Sequence, residues 1–215
     1  MRIKGFHDRI LHINLAKLSY FIERPGENFF RKYPGGGLLG TYFLLKYTKP
    51  KIDPLSSKNL LIFTNSIISG NKGPGLARFT ICAKSPLTQG IGEARSEGKF
   101  SSYLKKSGFD TIIIHGKSKQ PINIIIKNGK VKFLSAANEW GKTISETNKL
   151  IELKHGKKTC SAIIGEAGER LVKFASIVSN RSNQADRMGM GAVMGSKKIK
   201  ALILQDNDKI LDIFS

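Results

Sequence analysis

The sequence predicts an α+β fold in one domain covering residues 1–215, and three features predict it. Asn128-Gly129 sits between the apolar-rich arms "INIIIK" and "KVKFLS", the strongest short-range signal for a two-residue hairpin. "RILHINL" and "LSYFIER" alternate apolar and polar residues around a short break, so residues 9–24 read as a strand pair. Helix-length segments lie between such hairpins. The mixture argues for antiparallel sheet with helices rather than a doubly wound parallel sheet. A chain of 215 residues that is 40% hydrophobic can bury a real core.

Taken in order, the strand pair at 9–24 is followed by "PGGGLLGTYFLLKY" (34–47), a glycine cluster feeding a buried helix. "NLLIFTNSIIS" (59–69) and "RFTICAKS" (78–85) are β-branched runs that read as strands, separated by the exposed connection "GNKGPGLA". "EGKFSSYLKKSGFD" spaces Phe100, Leu104 and Ser107 as a helix does and ends on Gly108, a favoured stop. "TIIIHG" gives a buried strand, and the Asn128-Gly129 hairpin follows. In "WGKTISETNKLIELKHG", Thr143 and Glu146 form a capping box for a helix ending near Gly156. "CSAIIGEAGERLVKFASIVSN" reads as strand, polar glycine turn, strand, and "KKIKALILQD" as a final strand. The expected total is nine or ten strands and about four short helices.

Charge is the unusual quantity: 36 Lys+Arg against 16 Asp+Glu gives +20. Two readings stay open, an anionic partner and a general lysine enrichment, because the lysines are scattered in ones and twos with no basic tail. Nucleic acid is disfavoured, since no aromatic RNA-binding motif or helix-turn-helix pattern accompanies the charge. Cys82 and Cys160 belong to no C-x-x-C pair, so neither a disulfide framework nor a metal site can be read from them. The first residues lack the apolar core of a signal peptide, and no apolar run reaches the ~18 residues of a membrane helix. The expectation is a cytoplasmic protein.

Several motifs could carry chemistry. "GEARSEG" (92–98) and "GEAGERL" (165–171) echo each other and hint at internal pseudo-symmetry. "GMGAVMG" (189–195) spaces its glycines as G-x-G-x-x-x-G, one residue longer than the dinucleotide fingerprint. Such a loop can offer free amides to a phosphate. It can equally let a helix pack tightly on its neighbours, which spacing alone favours. The histidines His7, His12, His115 and His155 form no pair at helical ligand spacing and read as surface or core residues. Arg78 opens a strand beside a glycine loop, where its guanidinium can fork onto an oxyanion.

In order along the chain, "DRILHINL", "PGGGLLGTYFLLK", "IDPLSSKNLLIFT", "AKSPLTQG", "YLKKSGFDTIIIHGKSKQPINIIIKNGKV", "EWGKTISETNKLIELKHGKK", "IIGEAGERLVKFASIVSNR" and "RMGMGAVMGSKKIKAL" resemble the N-terminal domain of the tungsten-containing aldehyde ferredoxin oxidoreductases. The resemblance implies two intertwined β-rich repeats with short helices. They form a cradle for a bis-molybdopterin that holds one tungsten, or molybdenum. It also implies a magnesium ion bridging the pterin phosphates and bound by backbone carbonyls of two loops. Carried over by position, those loops are Arg95, Ser96 and Glu97 for the first and Ala167, Gly168 and Glu169 for the second. Arg78 matches an arginine between pterin and iron-sulfur cluster, whereas Gly37 stands where the family commonly has an arginine.

Family members continue for several hundred residues, and those residues supply the cysteines of a four-iron cluster and the substrate cavity. The resemblance therefore implies a cofactor-binding domain or subunit of an aldehyde-oxidising enzyme, inactive by itself. Its expected partners are a separate cluster-bearing subunit and ferredoxin, in electron transfer, with no membrane. The alternatives are a remnant or partner-binding module that holds no cofactor and, on charge alone, a nucleic-acid-binding protein.

Overall fold

The computed structural model describes residues 5–71 and 73–206. Met1–Lys4 of the opening segment, Lys72 in the glycine-rich connection and the last nine positions, 207–215, lie outside the described residues. The first half runs β1 (Ile10–Asn14), β2 (Ser19–Glu23), α1 (Glu27–Lys32), α2 (Gly36–Tyr47), β3 (Leu61–Asn65), β4 (Arg78–Lys84), β5 (Ile91–Glu97), α3 (Lys99–Lys106) and β6 (Thr111–His115). The second runs β7 (Ile122–Lys127), β8 (Lys130–Ser135), α4 (Ile144–His155), β9 (Thr159–Ile163), α5 (Glu166–Glu169), β10 (Ile177–Ser179), β11 (Asn183–Ala185), α6 (Met190–Ser196) and β12 (Ile199–Gln205). The sequence reading missed β5 and β11, and it took α5 for a plain turn.

Each half fills one six-stranded sheet, in the orders β2-β1-β6-β3-β4-β5 and β11-β10-β9-β12-β7-β8. Adding six to each strand of the first sheet generates the second. The pairing sense is kept: β1 with β6 and β7 with β12 are parallel, and the remaining pairs are antiparallel. The internal repeat is therefore real. The echoed segments are not its trace, because "GEARSEG" is an edge strand whose counterpart is β11. "GEAGERL" builds α5, whose counterpart is the connection between β3 and β4.

The halves interlock through α3 and α6, each of which packs against strands of both sheets. Around them lies the main core, where Leu61, Phe63, Phe79, Ile81 and Phe100 of the first half meet Ile124, Ala162, Met194 and Leu202 of the second. Edge strands β5 and β11 also meet, and Asn183 Nδ2 donates to Glu97 O at 2.9 Å. On the outer faces, α2 covers the first sheet through Leu39, Phe43 and Leu44. On the second sheet, α4 buries Ile151 against Ile125, Ile163 and Ile203.

Local signals hold where they are strongest. Asn128 and Gly129 take φ of 51° and 71°, the left-handed pair that a twisted two-residue hairpin requires. At the start of α4, Glu146 N donates to Thr143 Oγ1 at 3.3 Å and Thr143 N to Glu146 Oε2 at 2.9 Å, completing the capping box.

Candidate cofactor-binding site

Strands β4 and β5 set Arg78 opposite Glu97, Thr80 opposite Arg95 and Cys82 opposite Glu93. Side chains alternate along a strand, so these six share the face that α2 covers. A Cβ on Gly40 would stand 2.4 Å from Cys82 Sγ, and one on Gly37 would stand 2.0 Å from a Glu93 carboxylate oxygen. Glu93 thus fills the space beside Gly37. Arg78 Nε donates to Glu97 Oε1 at 2.8 Å, and Arg95 Nε to Glu93 Oε1 at 2.5 Å. The two arginine side chains are 58% and 68% exposed, so these pairs contribute little to stability. Each guanidinium keeps further N–H groups for an oxyanion. Ser96 points the other way, into the protein, where its Oγ is buried without a hydrogen-bond partner among the described residues.

Ala167, Gly168 and Glu169 lie on α5. The Glu169 carboxylate is 6% exposed and already engaged. It accepts from Gly141 N at 2.8 Å and from Lys200 Nζ at 2.5 Å, and Lys200 Nζ also donates to Lys142 O at 2.7 Å. This side chain is structural, so what Ala167, Gly168 and Glu169 can offer a ligand is backbone. Beneath them, α6 packs backbone to backbone. A Cβ on Gly195 would lie 1.9 Å from Gly168 O, one on Gly191 2.4 Å from Ser176 O, and one on Gly189 1.9 Å from Lys173 O. Of the two uses open to this glycine loop, close packing is the one the structure displays.

The carried-over residues therefore form two groups. Arg78, Arg95 and Glu97 stand together on the outer face of the first sheet. Ala167, Gly168 and Glu169 pack on α6, which in turn contacts β3 and β4 of that sheet. Backbone oxygens border the arginines too, because β5 ends its sheet and an edge strand leaves alternate carbonyls unpaired within it, with Glu97 O already accepting from Asn183 Nδ2. Two exposed guanidiniums beside edge carbonyls fit a phosphate and a hard cation, which takes oxygen ligands. Cys82 and Cys160 are both buried, with thiols pushed up to about 12 chiefly by burial. Two such thiols cannot ligate a four-iron cluster. Among the described residues no group of three or more His, Cys, Asp or Glu is set to hold a metal, and no helix is long and apolar enough to cross a membrane.

Sequence reading missed a polar chain on the same outer face. His12 and His115, on parallel neighbours β1 and β6, approach to 3.1 Å between Nδ1 and Nε2, and His12 Nε2 lies 2.8 Å from Glu23 Oε2. A search at helical spacing cannot find residues that a parallel strand pairing joins. Buried Lys105, Lys197 and Lys200 were missed as well.

Two sheets of one topology, interlocked by two inner helices and carrying arginines on one rim, define an α+β repeat domain. Residues 10–206 match the model for "Aldehyde ferredoxin oxidoreductase, N-terminal domain", and the chain belongs to that family. It is 40% identical over 207 residues to a tungsten-containing aldehyde ferredoxin oxidoreductase of Pyrococcus horikoshii, covering 96% of this chain and 34% of that protein. It is 32% identical over 226 residues to the WOR-like subunit of an aliphatic sulfonate oxidoreductase of Pyrococcus furiosus, covering 98% of this chain and 36% of that one. Among solved structures, the active site complex BamBC of benzoyl coenzyme A reductase, with 1,5-dienoyl-CoA, superposes with a TM-score of 0.92 at 31% identity. That match covers 98% of this chain and 32% of the other. The chain thus spans about a third of the length of the relatives it matches.

Proposed function

We propose that this chain holds a tungsten or molybdenum bis-molybdopterin, with its magnesium, for an enzyme of the aldehyde ferredoxin oxidoreductase type. The observation that carries this reading is the 40% identity to tungsten-containing relatives over 96% of the chain. In such an enzyme an aldehyde and water become a carboxylate with release of three protons, and the two electrons pass through a four-iron cluster to ferredoxin. The cofactor supplies the redox chemistry when bound, and the protein supplies position and electrostatics. Arg78 and Arg95 present forked donors to a pterin phosphate, and edge carbonyls around Arg95, Ser96 and Glu97 suit magnesium. The backbone of Ala167, Gly168 and Glu169 is the second candidate hold, kept in place by the Glu169–Lys200 pair. Cluster and substrate cavity are assigned to residues outside this chain, on further domains or a partner subunit.

One observation favours a second reading. Glu93 and Glu97 already engage the two arginines, and Leu45, Leu87, Ile91 and Phe174 expose apolar surface suited to association. A partner-binding module without cofactor has the same features. Aldehyde-dependent reduction of ferredoxin, measured anaerobically, tests the proposed function. The chain alone is expected to give no turnover, and adding the cysteine-bearing remainder is expected to restore it. Turnover by the 215-residue chain alone would contradict the division of labour.

A further inference from the structure

On the outer face of the first sheet, away from the arginine ladder, a cavity of about 390 Å³ is lined by Tyr47, Lys49, Ser57, Lys58, His115 and Gly116, with Ile52 and Leu60 as its apolar part. Behind it runs the chain of polar groups from His115 through His12 to Glu23. Glu23 also receives Lys46 Nζ at 3.2 Å and the Tyr47 hydroxyl at 3.4 Å. Burial raises the Glu23 carboxyl, but hydrogen bonds from His12 and Lys46 outweigh it and leave the group below its ordinary range. Glu23 is therefore ionised.

An ionised Glu23 fixes every proton in the chain. Its oxygen can only accept, so His12 Nε2 carries hydrogen and His12 Nδ1 is left as an acceptor. The His115 Nε2 that meets it must then be the donor, and His115 Nδ1 is an open lone pair. That nitrogen makes no hydrogen bond among the described residues and is not sealed from the surface, and His115 is one of the residues that line the cavity. Both imidazoles stay neutral, His12 lowered by burial and His115 pushed down to about 4 by burial first and by His12 and Lys197 next. His12 is locked in place by stacking on Phe21 at 4.4 Å and by the edges of Phe43 and Tyr47.

The charged residues of the lining are both lysines. Lys49 and Lys58 border the cavity, and Lys197 lies behind its wall, donating to Asn59 O at 2.5 Å and Gly116 O at 2.8 Å. Among the described lining residues there is no carboxylate. A ligand that suits both halves of this site carries negative charge for the lysines and a hydrogen for His115 Nδ1.

We propose that this cavity binds a small oxyanion that bears its own proton, of the hydrogen-phosphate type, through Lys49, Lys58 and the lone pair of His115. The site is separate from the pterin reading and needs no cofactor. The test is titration of the 215-residue chain with inorganic phosphate and, in parallel, with sulfate, which has similar shape but no proton to give at neutral pH. Calorimetry reads the affinity, and the ¹H–¹⁵N signals of the imidazoles read the contact. Phosphate is expected to saturate and to move the His115 Nδ1 signal. Sulfate is expected to bind about tenfold more weakly for want of that hydrogen bond, and Lys58→Met to weaken phosphate by about tenfold. His115→Phe is expected to erase the preference for phosphate. Should that variant not fold, the wild-type comparison and the exposed Lys58→Met still decide. Equal affinity for the two anions, an unchanged affinity in Lys58→Met, or no saturation by about 10 mM phosphate would overturn the proposal.

Discussion

The last turn of α3 and the end of α6 occupy matching places in the two halves, and each carries a lysine buried from solvent, Lys105 and Lys197. They solve the same problem differently. Lys105 Nζ donates to Gly5 O at 2.7 Å and to Asp110 Oδ1 at 3.0 Å, so its charge is met by an acid just before β6. Lys197 has no acid partner among the described residues: it donates to Asn59 O in the first half and to Gly116 O just after β6, and burial pushes its pKa down to about 7. The first half pairs its lysine with an acid, whereas the second uses its lysine to tie the halves together. Repeated topology has been kept while the chemistry at equivalent positions diverged.

Variants can break this comparison, beginning with the largest effect. Lys105→Met leaves Asp110 with backbone donors from His7 and Arg9 but without its lysine ion pair, in a site 3% exposed. A loss of about 4 kcal/mol is expected in urea unfolding, because removing one partner strands a buried charge. Gly195→Ala tests the tightness peculiar to α6: a methyl 1.9 Å from Gly168 O must push α5 aside. About 3 kcal/mol is expected from such overpacking.

Lys197 predicts a pH dependence whose sign is fixed. Its folded pKa of about 7 lies below the ordinary 10.5, so between those values the unfolded chain holds a proton the folded chain has released. Stability should rise with pH across that window by about 1 kcal/mol per unit, with no slope from this group below it. Unfolding measured at pH values from about 7 to 9 should show that slope, and Lys197→Met should flatten it. Smallest in stability is Arg78→Met: at an exposed site a change within about 0.5 kcal/mol is expected, together with reduced retention of the pterin cofactor. Normal retention in that variant would remove Arg78 from the proposed hold.

Local features were the legible ones. The Asn128-Gly129 turn, the Thr143–Glu146 box and the glycine-led α2 are each written within a few residues, and the structure keeps them. Strand β5 was hidden for a packing reason. Its inward positions are the small residues Gly92, Ala94 and Ser96, and at the first of them α6 comes close: a Cβ on Gly92 would stand 2.6 Å from Met190 Cε. Small inward residues erase the apolar alternation that marks a strand. Buried lysines were hidden for the opposite reason, since a charge at a helix end reads as solvent-facing until its acceptors are placed. Family membership was legible from ordered blocks, yet the matching did not reveal that Arg95 and Glu97 share a face with Arg78 while Ser96 turns inward.

The claim that most needs testing is that this chain holds the metal-pterin cofactor. The direct measurement is the tungsten, molybdenum and pterin content, by mass spectrometry, of the chain purified from a host that makes the cofactor, alone and with the cysteine-bearing remainder. One metal with two pterins per chain is the predicted result. Absence of all three in both preparations would contradict it and leave a partner-binding module as the better description.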